Sequence, residues 1–280
     1  MNINTKVFSK EELISKFYEI YNTGWIENVR GSNDGAVGNT LEDLLGIPEN
    51  NLPIPNAAEW ELKAQRSNTT SLLTMFHTEP SPTAMKVVPS ILLPLYGWPH
   101  KDAGTKYPID EKSFRATINT KSYSDRGFKV FVNDKDRKIE VVFNPNMSDE
   151  RHKGWINSVE QRVGAKQFDI NPYWGFDDLF HKAGTKLKNC FYVRADVKKE
   201  KVGKKRKEYF LYNYVLKLSN FDKEKFLDAI RSGKIYVDFD ARTGHNHGTK
   251  FRLRYNDIPS LYRDVEVIID EKNKIFPKFK

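Results

Sequence analysis

One cysteine, Cys190, is all that this 280-residue chain contains. No intramolecular disulfide can form and no cysteine cluster can hold structural zinc, so stability must come from packing. Long apolar runs are missing too. No stretch approaches the roughly 18 continuous apolar residues that a membrane-spanning helix needs, and the opening Met-Asn-Ile-Asn-Thr-Lys has no apolar segment behind its charge. The expectation is a soluble, cytoplasmic protein without membrane contact. Histidine is sparse, and His77, His100, His152 and His181 are scattered along the chain. Each reads as a surface or satisfied core residue rather than a ligand. Neither an internal repeat nor a Gly/Ser- or Pro-rich linker marks a domain boundary.

What is present is ample core material: 39% apolar residues, 13% of the chain aromatic. That composition belongs to a folded protein and excludes a disordered one. One large domain or two closely packed lobes is expected, with mid-chain hairpins suggesting a second lobe after about residue 110. Lysine and arginine outnumber aspartate and glutamate by 46 to 37, a formal charge of +9. Such an excess favours polyanionic partners through steering and counterion release, although basicity alone identifies none.

Ser9-Lys10-Glu11-Glu12 is a capping-box signature ahead of Leu13, Ile14, Phe17, Tyr18 and Tyr21, which predicts an amphipathic helix over 9–22. A glycine-rich loop over 30–40 precedes a short helix, Leu41 to Leu45, capped by Asn39 or Thr40 and stopped by Gly46. Glu42 then lies in its first turn. Pro48, Pro53 and Pro55 keep the chain extended until an alternating strand, Glu59 to Gln65. The apolar runs 71–76 and 91–95 suit either buried strands or helix edges. Two alternating runs around Asn133-Asp134-Lys135-Asp136 predict a hairpin over 128–143. A second hairpin pairs 190–197 with 208–216, its connection carrying Lys198, Lys199, Lys201, Lys204, Lys205, Arg206 and Lys207. That connection is either a phosphate-tracking arm or a solvated tip. A helix from about Asp222 to Ile230 is stopped by Gly233, and a strand follows over 234–240.

Strand alternation puts Glu59, Glu61 and Lys63 on one face, with Trp60 and Leu62 on the other. Solvent-facing charges produce the same pattern in many proteins, so the spacing is only a candidate. Carboxylate oxygens suit magnesium, which prefers octahedral oxygen coordination and keeps some of its waters. A lysine beside such an ion can orient or deprotonate water and neutralise a phosphorus transition state. The chemistry this suggests is phosphodiester hydrolysis.

Gly38-Asn-Thr-Leu-Glu-Asp-Leu-Leu-Gly46, Asn51-Leu-Pro-Ile-Pro55 and Trp60-Glu-Leu-Lys-Ala-Gln-Arg66, in that order, resemble the MvaI and BcnI group of type II restriction endonucleases, relatives of the repair nickase MutH. The resemblance implies an α/β PD-(D/E)XK restriction-endonuclease-like (MutH-like) core with a second DNA-recognition lobe. It would give a mainly catalytic lobe over 1–110 and a mainly recognition lobe over 111–280, with an interleaved division left open. It implies Mg2+ as cofactor, double-stranded DNA as partner, a monomer that nicks each strand in turn, and a cognate DNA methyltransferase in the same system without direct contact. By the same resemblance Glu42 is an auxiliary acid, Glu61 a metal ligand and Lys63 the catalytic lysine.

One position departs from the pattern. An aspartate is expected five residues before Glu61, and Asn56 stands there. An amide oxygen is neutral and a weaker magnesium ligand than a carboxylate. Glu59, on the same strand face as Glu61, is the candidate to compensate. A natural variant relying on Glu59 and a chain disabled for cleavage both fit, so a catalytically impaired DNA-binding protein and a MutH-like nickase remain the alternatives.

A second constellation lies at Asp240-Ala-Arg-Thr-Gly-His-Asn-His-Gly-Thr-Lys-Phe-Arg-Leu-Arg254. Its His-Asn-His tripeptide is not the dispersed HNH metal motif, and no further cysteines or histidines lie at ligand spacing. The residues suit either a solvated hairpin turn or base readout, since Arg bonds guanine O6 and N7 and Asp accepts from cytosine N4. In the resembled family the equivalent loop reads short C- and G-containing sites. That role falls on Asp240, Arg242, His245, His247, Arg252 and Arg254. Arg66, in a polar run after the strand, is a candidate for backbone phosphate.

Overall fold

The computed structural model describes residues 8–31, 33–47, 57, 59–164, 168–203 and 205–278. Its helices and strands run α1 (Lys10–Thr23), β1 (Ile26–Glu27), α2 (Ala36–Leu45), β2 (Trp60–Arg66), β3 (Leu73–His77), α3 (Leu93–Tyr96), β4 (Trp98–Pro99), β5 (Lys112–Ile118), β6 (Arg126–Asn133), β7 (Lys138–Ser148), α4 (Lys153–Val163), β8 (Tyr173–Gly175), α5 (Phe176–Leu187), β9 (Asn189–Val202), β10 (Lys205–Phe221), α6 (Lys223–Arg231), β11 (Ile235–Arg242), β12 (His245–Asn246), β13 (Lys250–Leu253) and β14 (Tyr262–Asp270).

Two compact units divide this chain: residues 1–73, 183–223 and 258–280 form the first, 74–182 and 224–257 the second. The units are interleaved along the sequence, the division that the expectation of lobes over 1–110 and 111–280 left open. The physical reason is strand pairing, because β2 finds its parallel partner in β9, far along the sequence. No described helix is long and apolar enough to cross a membrane.

In the first unit the sheet order is β1-β10-β9-β2, with β14 also paired to β10. Helix α1 starts where expected: Ser9 Oγ accepts from the Glu12 amide at 3.1 Å and Glu12 Oε2 from the Ser9 amide at 2.7 Å, closing the reciprocal cap. Leu13, Phe17 and Ile20 form its buried stripe. They meet Trp60, Leu62, Phe191, Val193, Phe210 and Tyr212 from the sheet in one apolar core. Phe191 is its centre, with ring centroids 5.0 Å from Phe17 and 4.6 Å from Trp60.

Two expectations here need correction. Helix α2 begins at Ala36, not Leu41, because Ala36 and Val37 are themselves buried in the core, so Asn39 and Thr40 lie inside the helix rather than capping it. Glu42 consequently sits in the last turn, before Gly46 at φ 69°. The second hairpin is also longer than expected: β9 and β10 remain paired out to Val202 and Lys205. Its basic residues thus lie mostly on a two-stranded ribbon rather than in a loop.

The second unit holds the sheet β3-β13-β11-β5-β4, with β12 paired to β11, and the sheet β6-β7-β8. Of the two ambiguous apolar runs, the first becomes β3 and the second helical turns ending in α3. The hairpin over β6 and β7 forms as expected around Asn133 and Lys138. Phe114, Phe128, Phe143 and Phe239 fill the space beneath, with Phe128 and Phe143 centroids 4.8 Å apart.

Removing the Phe191 ring leaves a cavity that Phe17 and Trp60 cannot fill. Phe191→Ala is expected to lower the unfolding free energy by about 3–5 kcal/mol, read from denaturant midpoints, and a change below about 1 kcal/mol would show that this core repacks freely.

Candidate active centre and recognition face

Strand β2 presents Trp60 and Leu62 to the apolar core, so alternation turns Glu61, Lys63 and Gln65 to the opposite face. The parallel register sets Glu61 beside Cys190 and Lys63 beside Tyr192 on β9. Glu61 is only 1% exposed. A carboxylate so deeply placed costs several kcal/mol in lost hydration unless countercharges replace the water. Two ammonium groups do so: Lys63 Nζ lies 2.6 Å from Oε1 and Lys186 Nζ, from the last turn of α5, 3.0 Å from Oε2. The Lys186 contact is ionic and lacks hydrogen-bond geometry.

Beneath this trio the surroundings are closed to water. Burial pushes the Cys190 thiol far up, and the Glu61 charge adds to the effect. Burial also holds the Tyr262 hydroxyl well above its ordinary range, with Cys190 and Glu61 beside it. Cys190 is the inert buried thiol that the sequence suggested.

Glu59 does not join Glu61. Ala57 and Trp60 exchange backbone hydrogen bonds of 2.9 and 2.8 Å, a reversal that leaves Glu59 exposed in the turn before the strand. It is therefore not on the shared strand face expected of it. Glu42 is half-buried on α2. Asn56 and the prolines at 48, 53 and 55 lie outside the described residues. Among the described residues no three His, Cys, Asp or Glu side chains converge as a metal-holding group. Lys186 escaped sequence reasoning because no motif or spacing connects it to Glu61 across more than a hundred residues.

Arg66, proposed from sequence for phosphate, has other partners. Its guanidinium donates to Glu208 Oε2 at 2.9 Å and to the Asn33 carbonyl at 3.0 Å, and stands 5.3 Å from the Phe210 ring centroid. These contacts fasten the glycine-rich loop to the sheet. Arg30 similarly binds Asp43 with two donors, Nε at 2.6 Å from Oδ2. Burial would raise Glu208, but hydrogen bonds from Arg66 and Asn28, with the Arg66 charge, hold its carboxyl below the usual range.

In the second unit Asp240 and Arg252 come together on one sheet face. With Arg115, Thr117, Asp238 and Lys250 they line an open cleft of about 330 Å³. Asp240 is bridged by Arg115 Nε at 2.9 Å and Lys250 Nζ at 3.1 Å. Asp238 accepts from Arg252 Nη1 at 2.9 Å and Thr117 Oγ1 at 2.6 Å. Burial would raise Asp240, yet the Lys250 hydrogen bond and the charges of Lys250, Arg115 and His247 bring it below its usual range. Arg115 and Thr117 alternate with Phe114, Ala116 and Ile118 along β5, an ordinary strand pattern that does not by itself mark a site.

Arg242, at the end of β11, donates from Nη1 to Glu111 Oε1 at 3.1 Å. His245 and His247 are exposed, their ring centroids 4.2 Å apart. Gly244 at φ 68° makes the turn into β12, and Arg254 is exposed just past β13.

The Arg66 contacts yield a pH-dependent test. Because Glu208 is depressed in the folded state, its stabilisation is present above the ordinary carboxylate range and lost as pH falls through its folded value. Arg66→Met is expected to cost about 1–3 kcal/mol near neutrality, the deficit shrinking on acidification. Unfolding curves from pH 7 to 3 check this, and a deficit constant with pH would remove Glu208 from the account.

A model of the MvaI/BcnI restriction endonuclease family matches residues 14–262. Among solved structures the chain is similar to "Restriction endonuclease MvaI-cognate DNA substrate complex", at 23% identity and a TM-score of 0.72, covering 93% of this chain and 99% of that one. It is also similar to "Restriction endonuclease MvaI in the absence of DNA", at 22% identity and a TM-score of 0.51, covering 95% and 100%. No curated protein matches. The α/β architecture is that of the solved MvaI structures, and the family match spans nearly the whole chain: this protein belongs to the MvaI/BcnI restriction endonuclease family.

Proposed function

We propose that the protein hydrolyses phosphodiester bonds in double-stranded DNA at a short C- and G-containing site, with Glu61 and Lys63 in the reaction centre. The observation that carries this reading is the buried Glu61 carboxylate with the Lys63 ammonium 2.6 Å away. A lysine there can orient a water and offset charge that builds on phosphate.

The chain fits a divalent ion, Mg2+ in this reading, through few donors. Glu61 Oε2 is a buried oxygen outside hydrogen-bond geometry, and magnesium is commonly held by one or two carboxylates with water and phosphate completing its shell. Glu61 would hold it, with Glu42 and Asn56 as further donors. A bound divalent ion supplies a more acidic water and a Lewis acid for the phosphate oxygens. Glu61 fixes that chemistry to a rigid strand, and the closed surroundings of Cys190 and Tyr262 keep bulk water away from one side of it.

Recognition is assigned to Asp240, Arg242, His245, His247, Arg252 and Arg254, whose donors and acceptors suit G·C pairs in the major groove. The ribbon beyond Val197 carries Lys198, Lys199, Lys201, Lys205, Arg206 and Lys207 against Glu200 and Glu208 and suits sequence-independent attraction to phosphate. The same reading gives a cytoplasmic monomer that cuts each strand in turn, opposed in the cell by a cognate methyltransferase it does not touch. Asn56 favours one second reading, a protein that binds its site and cuts poorly.

Incubation of plasmid DNA with the protein and Mg2+, followed by sequencing of the ends, should give breaks at one short motif. Asn56→Asp separates the two readings: a gain of several orders of magnitude identifies a disabled centre, and no gain an active natural variant. DNA that stays intact with both proteins overturns the nuclease reading. Arg252→Ala should cost about 1–3 kcal/mol on the cognate duplex and hardly change non-specific binding, whereas a uniform loss on all duplexes would make Arg252 a phosphate contact.

A further inference from the structure

Glu111 is a carboxylate only 5% exposed, at the edge of the face assigned to recognition. It precedes β5 and falls in the alternating row Glu111, Ser113, Arg115, Thr117, opposite the row Arg242, Asp240, Asp238 on β11; the register pairs Arg242 with Ser113 and Asp240 with Arg115. Charges oppose across the two rows, but with reversed sign at this end: Arg115 faces Asp240, and Glu111 faces Arg242.

Two contacts fix the arginine. Glu111 Oε1 accepts from Arg242 Nη1 at 3.1 Å, and the Tyr107 ring lies against the guanidinium at 4.8 Å from its centroid. Tyr107 is itself braced edge-on by the buried His100 ring, centroids 4.7 Å apart. The loop carrying these groups is tied by its own backbone: the Asp102 carbonyl accepts from the amides of Thr105, Lys106 and Tyr107, and the His100 amide donates to the Glu111 carbonyl at 2.8 Å. At its far end, Thr243 and Lys112 exchange bonds of 3.1 and 3.0 Å. The Arg242 side chain stays 28% exposed.

Resting on the recognition role given to Arg242 above, we infer that Glu111 and Tyr107 are positioning residues: they form a socket that holds the Arg242 guanidinium in one orientation for a guanine edge. A free arginine must lose its rotamer freedom on binding and is drawn to any phosphate. One gripped from behind by a carboxylate and a ring has already lost much of that freedom, and its charge is largely offset. Its contribution therefore goes to discrimination between base pairs rather than to general attraction.

The test uses the full chain and fluorescence anisotropy, with Ca2+ in place of Mg2+. The probes are the duplex bearing the motif found by cleavage mapping, the same duplex with each base pair replaced in turn, and an unrelated duplex. Arg242→Ala should lose discrimination at one base pair. Glu111→Gln and Tyr107→Leu should lower discrimination at that same pair by about tenfold, with binding to the unrelated duplex unchanged by Tyr107→Leu and unchanged or tighter with Glu111→Gln, which frees the arginine charge, and Tyr107→Phe should keep the discrimination. Thermal melting establishes that the variants are folded, and should Glu111→Gln fail to fold, Tyr107→Leu against Tyr107→Phe carries the test. A uniform loss on every duplex, or a loss at a different base pair from Arg242→Ala, overturns the socket while leaving the recognition reading intact. A wild-type protein that prefers no duplex overturns both.

Discussion

The parallel pairing of β2 with β9 is the constraint on which the proposed active centre depends. It brings a strand near residue 60 against one near residue 190 and fixes which side chains share a face. Phe191 and Trp60 then fall to the core side, while Glu61 falls to the other, buried among polar neighbours. Once a carboxylate is placed there, charge balance demands cations, and Lys63 and Lys186 answer from the same strand and from α5. Shifting the register by one residue would send Glu61 into the apolar core and Leu62 out of it. Fold and site are thus held by one set of hydrogen bonds.

Local signals were legible wherever a few neighbouring residues decide the outcome. The Ser9 cap closes within four residues, the β6–β7 turn within six, and Gly46 ends α2 through its own backbone. Glu61 and Lys63 stood out because alternation along one strand is a local property. Glu59 did not behave as alternation predicts, since the Ala57–Trp60 exchange turns the chain just before the strand begins. The start of α2 was missed because Ala36 and Val37 are helical for tertiary reasons, as core residues, in a stretch whose glycines and asparagines favour a loop. Lys186 and Arg66's engagement with Glu208 depend on pairings between distant segments, which no local pattern encodes.

The second unit shows the same limit in another form. Asp240 and Arg252 were found through a dense polar loop, but their partners Arg115, Thr117 and Asp238 lie on strands that read as ordinary alternation until β5, β11 and β13 are placed side by side. Only then do the residues become a lattice in which each aspartate is shared by two donors.

Charge distribution separates attraction from discrimination on the proposed reading. In the cleft, three cations face two aspartates, and Arg242 faces Glu111, so this surface is nearly neutral in sum despite its many charges. A nearly neutral surface contributes little to long-range attraction for a polyanion. Exchanging its internal ion pairs for bonds to bases is favoured only where the bases supply both donors and acceptors in the right places, since any pair broken without replacement leaves a partly buried charge unpaired. Mismatched DNA therefore meets a penalty as well as a missing contact, which is how a site rejects wrong sequences. The net charge of +9 must then act elsewhere. The ribbon beyond Val197, with six basic residues among the described ones against Glu200 and Glu208, is where an excess concentrated on one element can attract DNA without reading it.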